Sequence, residues 1–394
     1  MKSVHFLLLF VFLLTACAPQ ATPPTPPAPP TKTAIPTPRT DCIESGDQNT
    51  INAKLKGVGA VAILCPGAVF ELTGPVIFNA EGQQVYTLGL PTDDSRATLR
   101  IVAQDVSTAV IMRDFNNATL SHVTVDGNRP ELGHRSGDAL IYAGGSSSGQ
   151  VIRFNKIIEP RSWSAIHLIQ GHPSPAPSCS DALVENNEIS SVGSSNETWA
   201  DGISLACTNT TIRNNLIVDA TDGGIVIFGA PGSVIEGNTI RAETRTLLGG
   251  INMVDYAPYD GNYTDTIVRN NIIESNGAVI RIGLGMGTRV WGCLPESTTK
   301  DTLYGGTVSG NILRGDNMQY GFAVDGVREW TVIDNIDKAA HIGTPIIDCR
   351  GQIASNPAGF QYYPPRAQGT FQPEFAEAYV ELALWAIVSP RPSE

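Results

Sequence analysis

Two aspartates raise the question of chemistry. Asp201 directly precedes the Gly of "ADGISL", and Asp222 lies two residues ahead of Gly224 in "DATDGGIVIF". Adjacent carboxyls suit acid–base or nucleophilic work when one is protonated and the other ionised. His167 in "AIHLI", Arg281 in "AVIRIG", Ser204 in "GISL" and Asn252 in "GINM" each follow an apolar residue in a similar short stretch. Around them stand Trp163 and Trp199 in "RSWSAIHLI" and "ETWADGISL", Asp255 and Tyr256 in "VDYAPYDGNY", and Arg289 and Trp291 in "GTRVWG". Aromatics make up only 7% of the chain, so their gathering here carries weight. Large flat rings beside a groove suit the apolar faces of sugar rings. Taken singly, each residue also has a structural explanation: Asp-Gly is ordinary turn chemistry, and an outward polar side chain is simply wet.

What must position these residues is a repeat. "DATDGGIVIFGAPGSVIEGNTI" contains a Gly-Ile strand, a turn, a second strand, and an Asn just ahead of a last Ile. "ADGISLACTNTTIRNNLI", and "GGINMV" with "DTIVRNNII", repeat it, and "AIHLI" with "ALVENNEI" and "YGFAV" with "WTVIDNI" are weaker copies. The Asn recurs as Asn155, Asn187, Asn215, Asn238, Asn271, Asn311 and Asn335, at gaps from 23 to 40 residues. A constant core with variable insertions is a solenoid with loops at particular corners. Each unit holds three short strands that cannot bury an apolar face alone. Stacking units about 4.8 Å apart buries the inward residues in one column. Asn at one turn can stack as a ladder of side-chain amides.

On this reading Leu140, Ile166, Ile203, Ile225, Ile251, Ile280 and Phe322 face inward. Ile141, His167, Ser204, Val226, Asn252, Arg281 and Ala323 then share one outward stripe, beside a flat floor of Ala139, Ala165, Gly202, Gly224 and Gly250. Asp138 takes the register of Asp201 two coils earlier. Asp201 and Asp222, one coil and one residue apart, have backbones about 6 Å apart. That spacing permits either the retaining carboxyl separation of about 5 Å or the inverting one of about 6.5 Å and above.

The repeat, with its Asn turn and Gly-Ile strands, resembles the right-handed parallel β-helix of the pectate-lyase-like superfamily over Thr119 to Ile336, and less regularly over Ile51 to Ile111. The resemblance implies an all-β solenoid whose Gly-Ile sheet and flanking loops form a saccharide cleft. "AVIRIG" around Arg281 resembles the Arg-Ile-Lys stretch of polygalacturonases, but that family's paired Asp-Asp and its Gly-His-Gly are absent, so its catalytic residues are not carried over. A helix over Thr50 to Lys56 is expected to plug the first coil, and "PEFAEAYVELALWAIV" has the apolar spacing of a second, C-terminal helix.

The N-terminus is a targeting signal. Lys2, the run "FLLLFVFLL" and "LTAC" at Leu14 to Cys17 read as a secretory signal, and the small residues before Cys17 resemble the bacterial lipoprotein type. The expected organisation is a signal over 1–16, a lipidated Cys17 with a Pro-rich tether over 17–40, a cap and first coils over 41–118, a repeat core over 119–350, and a tail with a capping helix over 351–394. Removing Lys2 takes the net charge from −12 to −12 − 1 = −13. The product is expected outside the cytoplasm, lipid-anchored to the membrane or cell surface, and monomeric. Six cysteines remain, read as the disulfides Cys42–Cys65, Cys179–Cys207 and Cys293–Cys349 by proximity.

The pI near 5.0, with no basic stripe, argues against nucleic acid. It also disfavours a polyanionic substrate. Hydrolysis of a polysaccharide by the carboxyl pair, needing no cofactor, is therefore the leading expectation. The assigned roles are Asp201, Asp222, His167 and Arg281 for catalysis, and Trp163, Trp199, Ser204, Asn252, Asp255, Tyr256, Arg289 and Trp291 for substrate. Two alternatives stand: a lyase on a uronic acid glycan, with Ca²⁺ or basic side chains neutralising the substrate carboxylate, or a non-catalytic surface solenoid that binds glycan. No three-carboxylate calcium cluster is evident in the sequence.

Overall fold

The computed structural model describes residues 41–170, 178–194, 198–291, 302–342, 346–347, 353–354, 359–362 and 364–378. The signal, Cys17, the tether, Cys293 and Cys349 lie outside the described residues, as does the C-terminal helix beyond 378.

Short parallel strands wind into a solenoid of three faces. On the first, Ala62, Val85, Leu120, Ile152, Val184, Ile212, Ile235, Val268, Val308 and Val332 lie opposite one another in unbroken register. On the second, the column runs Phe70, Leu99, Val125, Ile157, Ile189, Ile217, Ile240, Ile273 and Leu313. On the third it runs Ile141, Ile166, Ile203, Ile225, Ile251, Leu284 and Phe322. All these side chains are buried. Fully burying each aliphatic one contributes about 1.5–3 kcal/mol, and the apolar columns coil on coil are what fix the register.

The turn between the first and second faces carries the Asn ladder. Each amide donates to its neighbour's Oδ1, from Asn155 through Asn187, Asn215, Asn238, Asn271 and Asn311 to Asn335, at 2.8–3.1 Å. Asn335 donates to Gln372 Oε1 at 3.1 Å, which ends the row. The residue before each ladder Asn turns through the left-handed region, as at Asn186 and Asn214, both with φ 54°. That turn aims the following Asn inward, where its amide replaces the backbone partners that a corner lacks.

Both solenoid ends meet covers. At the first, helix Gln48–Asn52 starts two residues earlier than expected because Asp47 caps it, accepting from Asn49 N at 2.9 Å and Thr50 N at 3.1 Å. Its Ile51 seals the column, while Gln48 and Asn52 accept from the strand-edge N–H groups of Thr73 and Ile77 at 2.9 and 2.8 Å. At the other end residues 374–378 are helical, and Phe375 packs among Phe322, Phe360, Tyr362 and Phe371. Cys42–Cys65 and Cys179–Cys207 are bonded as expected, with Cα atoms 5.0 and 4.9 Å apart.

His122 is expected to make the fold acid-sensitive. It occupies a left-handed turn at φ 54° and stacks on Phe154 at 4.9 Å. Burial, then the charges of Arg153 and Arg96, lower its pKa from 6.5 to about 4. A depressed histidine contributes stability that is present above its unfolded value and lost as pH falls through the folded one. The melting temperature should therefore fall between pH 6.5 and 4, and less steeply in His122→Asn, since Asn suits the same turn and does not titrate. Equal slopes in a pair of thermal scans would clear His122 of that role.

Candidate functional site

The third face changes its alternation at each coil. "SAIH", "DGIS", "GGIV", "GGIN" and "IGLG" share a frame in which the first and fourth residues point out and the middle two point in. Two outward rows result. The first contains Ser164 opposite Asp201, then Gly223 opposite Gly249, Ile282 and Tyr320. The second is Tyr142, His167, Ser204, Val226, Asn252, Gly285 and Ala323.

Asp201 is anchored in this surface. Its Oδ2 accepts from Ser204 Oγ at 2.8 Å and its Oδ1 from Gly223 N at 2.9 Å. Ser204 Oγ lies 2.9 Å from Ser164 Oγ, whose hydroxyl reaches the Ile166 carbonyl at 2.9 Å. Hydroxyl hydrogens can point either way along such a chain. Ionised Asp201 accepts from Ser204, and protonated Asp201 can donate to it, with Ile166 as the final acceptor, so neither state leaves an orphan.

Asp222 sits in the next coil, its N–H donating to the carbonyl of Ala200, the residue before Asp201, at 3.0 Å. Burial first, then the charge of Asp222, push the Asp201 pKa well above 3.8, against the hydrogen bonds from Ser204 and Gly223. Asp222 is partly exposed, and burial raises it too. A buried carboxyl whose proton is favoured, beside a more accessible one, is an acid–base arrangement.

Aromatic rings flank the pair. Trp163 and Trp199 are exposed, and Trp163 meets the His167 ring edge-on at 4.6 Å. Tyr142 lies 6.1 Å beyond His167 and accepts from Arg113 Nη1 at 3.0 Å. Burial, then the charge of Arg113, lower His167 to about 4, so it is neutral at pH 7. On the other side Trp291 packs on Ile282, Val290, Tyr320 and Ala323. Three buried polar atoms on this surface have no hydrogen-bond partner among the described residues: His167 Nδ1, Asn252 Oδ1 and Trp291 Nε1.

Residues 108–336, more than half of the chain, match the family model described as the right handed beta helix region. The chain belongs to the right-handed β-helix family. No curated protein matches it. Among solved structures it is similar to an alginate lyase from Paenibacillus sp. str. FPU-7, at 13% identity and TM-score 0.49, over 75% of this chain and 97% of that one. It is also similar to the catalytic unit of an alpha-1,3-glucanase from Streptomyces thermodiastaticus, at 15% identity and TM-score 0.44, over 83% of this chain and 64% of that one. An exopolygalacturonase from Thermotoga maritima matches at 12% identity and TM-score 0.44, over 74% and 86%. At these identities and scores the likenesses assign no activity.

Within this β-helix several expected positions move. Arg281 is not on the stripe: Leu284 fills the column place expected of Ile280, and Gly285 faces Asn252. The corner Gly of that coil is Gly283 in "IGLG", so Arg281 lies about 13 Å along the strand from the stripe. One coil shifts by a single residue, with Ile141 inward and Tyr142 outward. Counting back from Ile141 puts Ala139, not Asp138, in the row of Ser164 and Asp201.

Gly202, Gly224 and Gly250 are no floor. A Cβ there would come within 2.5–2.6 Å of the next coil's carbonyl and within 2.6–2.8 Å of Ile217, Ile240 or Ile273, so they face inward and close the corner. The outward glycines are Gly223, Gly249 and Gly285, which the sequence reading missed along with Ser164 and Tyr142. The recurring outward–inward–inward–outward frame is the signal that would have found them.

Ser204 is fully buried and donates to Asp201 Oδ2, so it presents no surface to a ligand. Asp255 is buried and accepts from Gly261 N at 2.7 Å, pinning its loop. Tyr256 is exposed beside Phe228. Arg289 is partly exposed in the turn Thr288–Trp291.

Proposed function

We propose that this β-helix hydrolyses a polysaccharide lying along its third face, with Asp201 as general acid and Asp222 as the ionised partner. The observation that carries the reading is the pair: a buried carboxyl on a reversible hydroxyl chain, next to a partly exposed one, between the exposed indoles of Trp163 and Trp199 and the Trp291 wall. Burial and the neighbouring charge favour the proton on Asp201. Asp222, the more exposed of the two, is then the base or nucleophile. Neutral His167 lies against Trp163 and adds no charge. The net charge of −12 favours a neutral or weakly acidic glycan.

The test is a panel of plant and microbial polysaccharides given to the full-length chain. Reducing ends without the ultraviolet absorbance of unsaturated uronates support hydrolysis. Both signals together replace it with elimination, and binding with neither replaces it with glycan capture. No binding and no cleavage across the panel overturns the carbohydrate reading.

We also propose export with a lipid on Cys17, motivated by "LTAC" at Leu14 to Cys17. Cys17→Ser should move the chain from membranes to the soluble fraction. Retention on membranes after a high-salt wash would refute the anchor.

A further inference from the structure

Two of the unpartnered atoms on the third face lie about one spot. A Cβ built on Gly285 would lie 3.4 Å from Asn252 Oδ1, 3.4 Å from Trp291 Nε1 and 3.2 Å from the indole Cζ2. Both polar atoms are buried and make no hydrogen bond. One is an acceptor and the other a donor. Leaving each buried and unmade costs about 1–3 kcal/mol, so an arrangement that leaves both facing one small space calls for an occupant. Gly285 has no left-handed backbone to explain the missing side chain. Its missing Cβ leaves a methyl-sized gap between the two atoms, closed to solvent until the partly exposed Trp291 side chain gives way.

The orientation of Asn252 follows from its neighbours. Its Nδ2 and the Asp201 Oδ1 lie 3.1 and 3.2 Å from a common point above Gly223. The amide nitrogen is thus the end nearer the Asp201 carboxyl, and the amide oxygen the end nearer the Trp291 indole. The flipped amide would set donor against donor and acceptor against carboxyl oxygen.

We infer that Asn252, Gly285 and Trp291 form a subsite for one sugar hydroxyl, three coils from Asp201. A hydroxyl seated over Gly285 donates to Asn252 Oδ1 and accepts from Trp291 Nε1, satisfying both orphans at once. A carboxylate oxygen in the same place would face the amide oxygen, lone pair against lone pair. The seat therefore selects a glycan that presents a free hydroxyl there and rejects one that presents a carboxylate. Three coils at about 4.8 Å each separate the backbone of the seat from that of Asp201, so it holds a ring other than the one cleaved. The inference rests on the carbohydrate reading and names a specificity determinant within it.

The test uses the full-length chain carrying Asp201→Asn, so that bound glycan is not turned over, and titrates it with the panel polysaccharides and their oligosaccharides. Gly285→Ala fills the seat with a methyl that the backbone accepts. Trp291→Phe keeps an aromatic wall and removes only the donor. Each change is expected to weaken binding tenfold or more, with the melting temperature held within a few degrees. Binding retained within fivefold in a folded variant overturns the hydroxyl seat and leaves the carbohydrate reading standing. If Gly285→Ala unfolds, Trp291→Phe decides. If no panel glycan is bound or cleaved even without these changes, the carbohydrate reading fails and the seat fails with it.

Discussion

Asp201→Asn and Asp222→Asn are each expected to lower glycan turnover by about 10²–10⁴-fold while the solenoid stays folded. The first removes the proton that burial and Asp222 hold on Asp201, and the second removes the partner's charge. The double variant should lose little beyond the worse single one, because an acid and its partner act as a unit.

Stability moves the other way, which separates catalysis from structure. A carboxyl whose folded pKa is raised contributes stability that is complete below its unfolded value, 3.8 for Asp201, and lost as pH rises through the folded one. In Asp201→Asn the amide nitrogen takes the place of the protonated oxygen. It can donate to Ser204 Oγ while the amide oxygen accepts from Gly223 N, so the hydroxyl chain keeps the arrangement it has with a protonated acid. The variant should melt no lower than the wild type at pH 8 and lose the part of the pH slope that Asp201 supplies. Paired thermal scans and initial rates measure both. Unchanged turnover with a lower melting temperature in both variants would make these aspartates corner caps and nothing more.

The solenoid was legible because its signal is periodic. Ile212, Asn215 and Ile217 recur with their spacing intact in coil after coil, and the buried columns and ladder demand that spacing. The candidate site was legible only in part, because strict alternation fails at the corner that builds it. Gly202 and Ile203 both face in, so Asp201 and Ser204 share a side although three residues separate them. A period of two carries no such step. The error at Arg281 has the same origin: Ile280 and Leu284 are both buried, and only the Gly ahead of Leu284 marks the corner. Ser164 and Gly285 do their work through neighbouring coils, 40 residues on for Ser204 and 33 residues back for Asn252, so no local pattern announces them.

The ladder should be the most sensitive structural element to a single truncation. Asn215 is buried and makes four side-chain bonds: Nδ2 to Val184 O at 3.0 Å and to Asn238 Oδ1 at 2.9 Å, and Oδ1 from Asn187 N at 3.0 Å and from Asn187 Nδ2 at 2.9 Å. Asn215→Ala strands groups in both neighbouring coils, each worth about 1–3 kcal/mol when buried and unmade. Water entering the small polar space returns part of that, so the expected loss is about 3–5 kcal/mol. Asn215→Asp keeps the volume but sets oxygen against the oxygens of Val184 and Asn238, and should be no better. The end rung provides the comparison. Among the described residues Asn155 has no amide above it, and its Oδ1 accepts only from Val123 N, at 3.2 Å, while Nδ2 donates to Leu120 O and Asn187 Oδ1 at 3.0 and 3.1 Å. Asn155→Ala strands fewer groups and should cost less. Denaturant midpoints of the two variants give the order directly. If the interior change costs no more than the end one, the ladder is a row of independent corner caps, and stacking adds nothing to them.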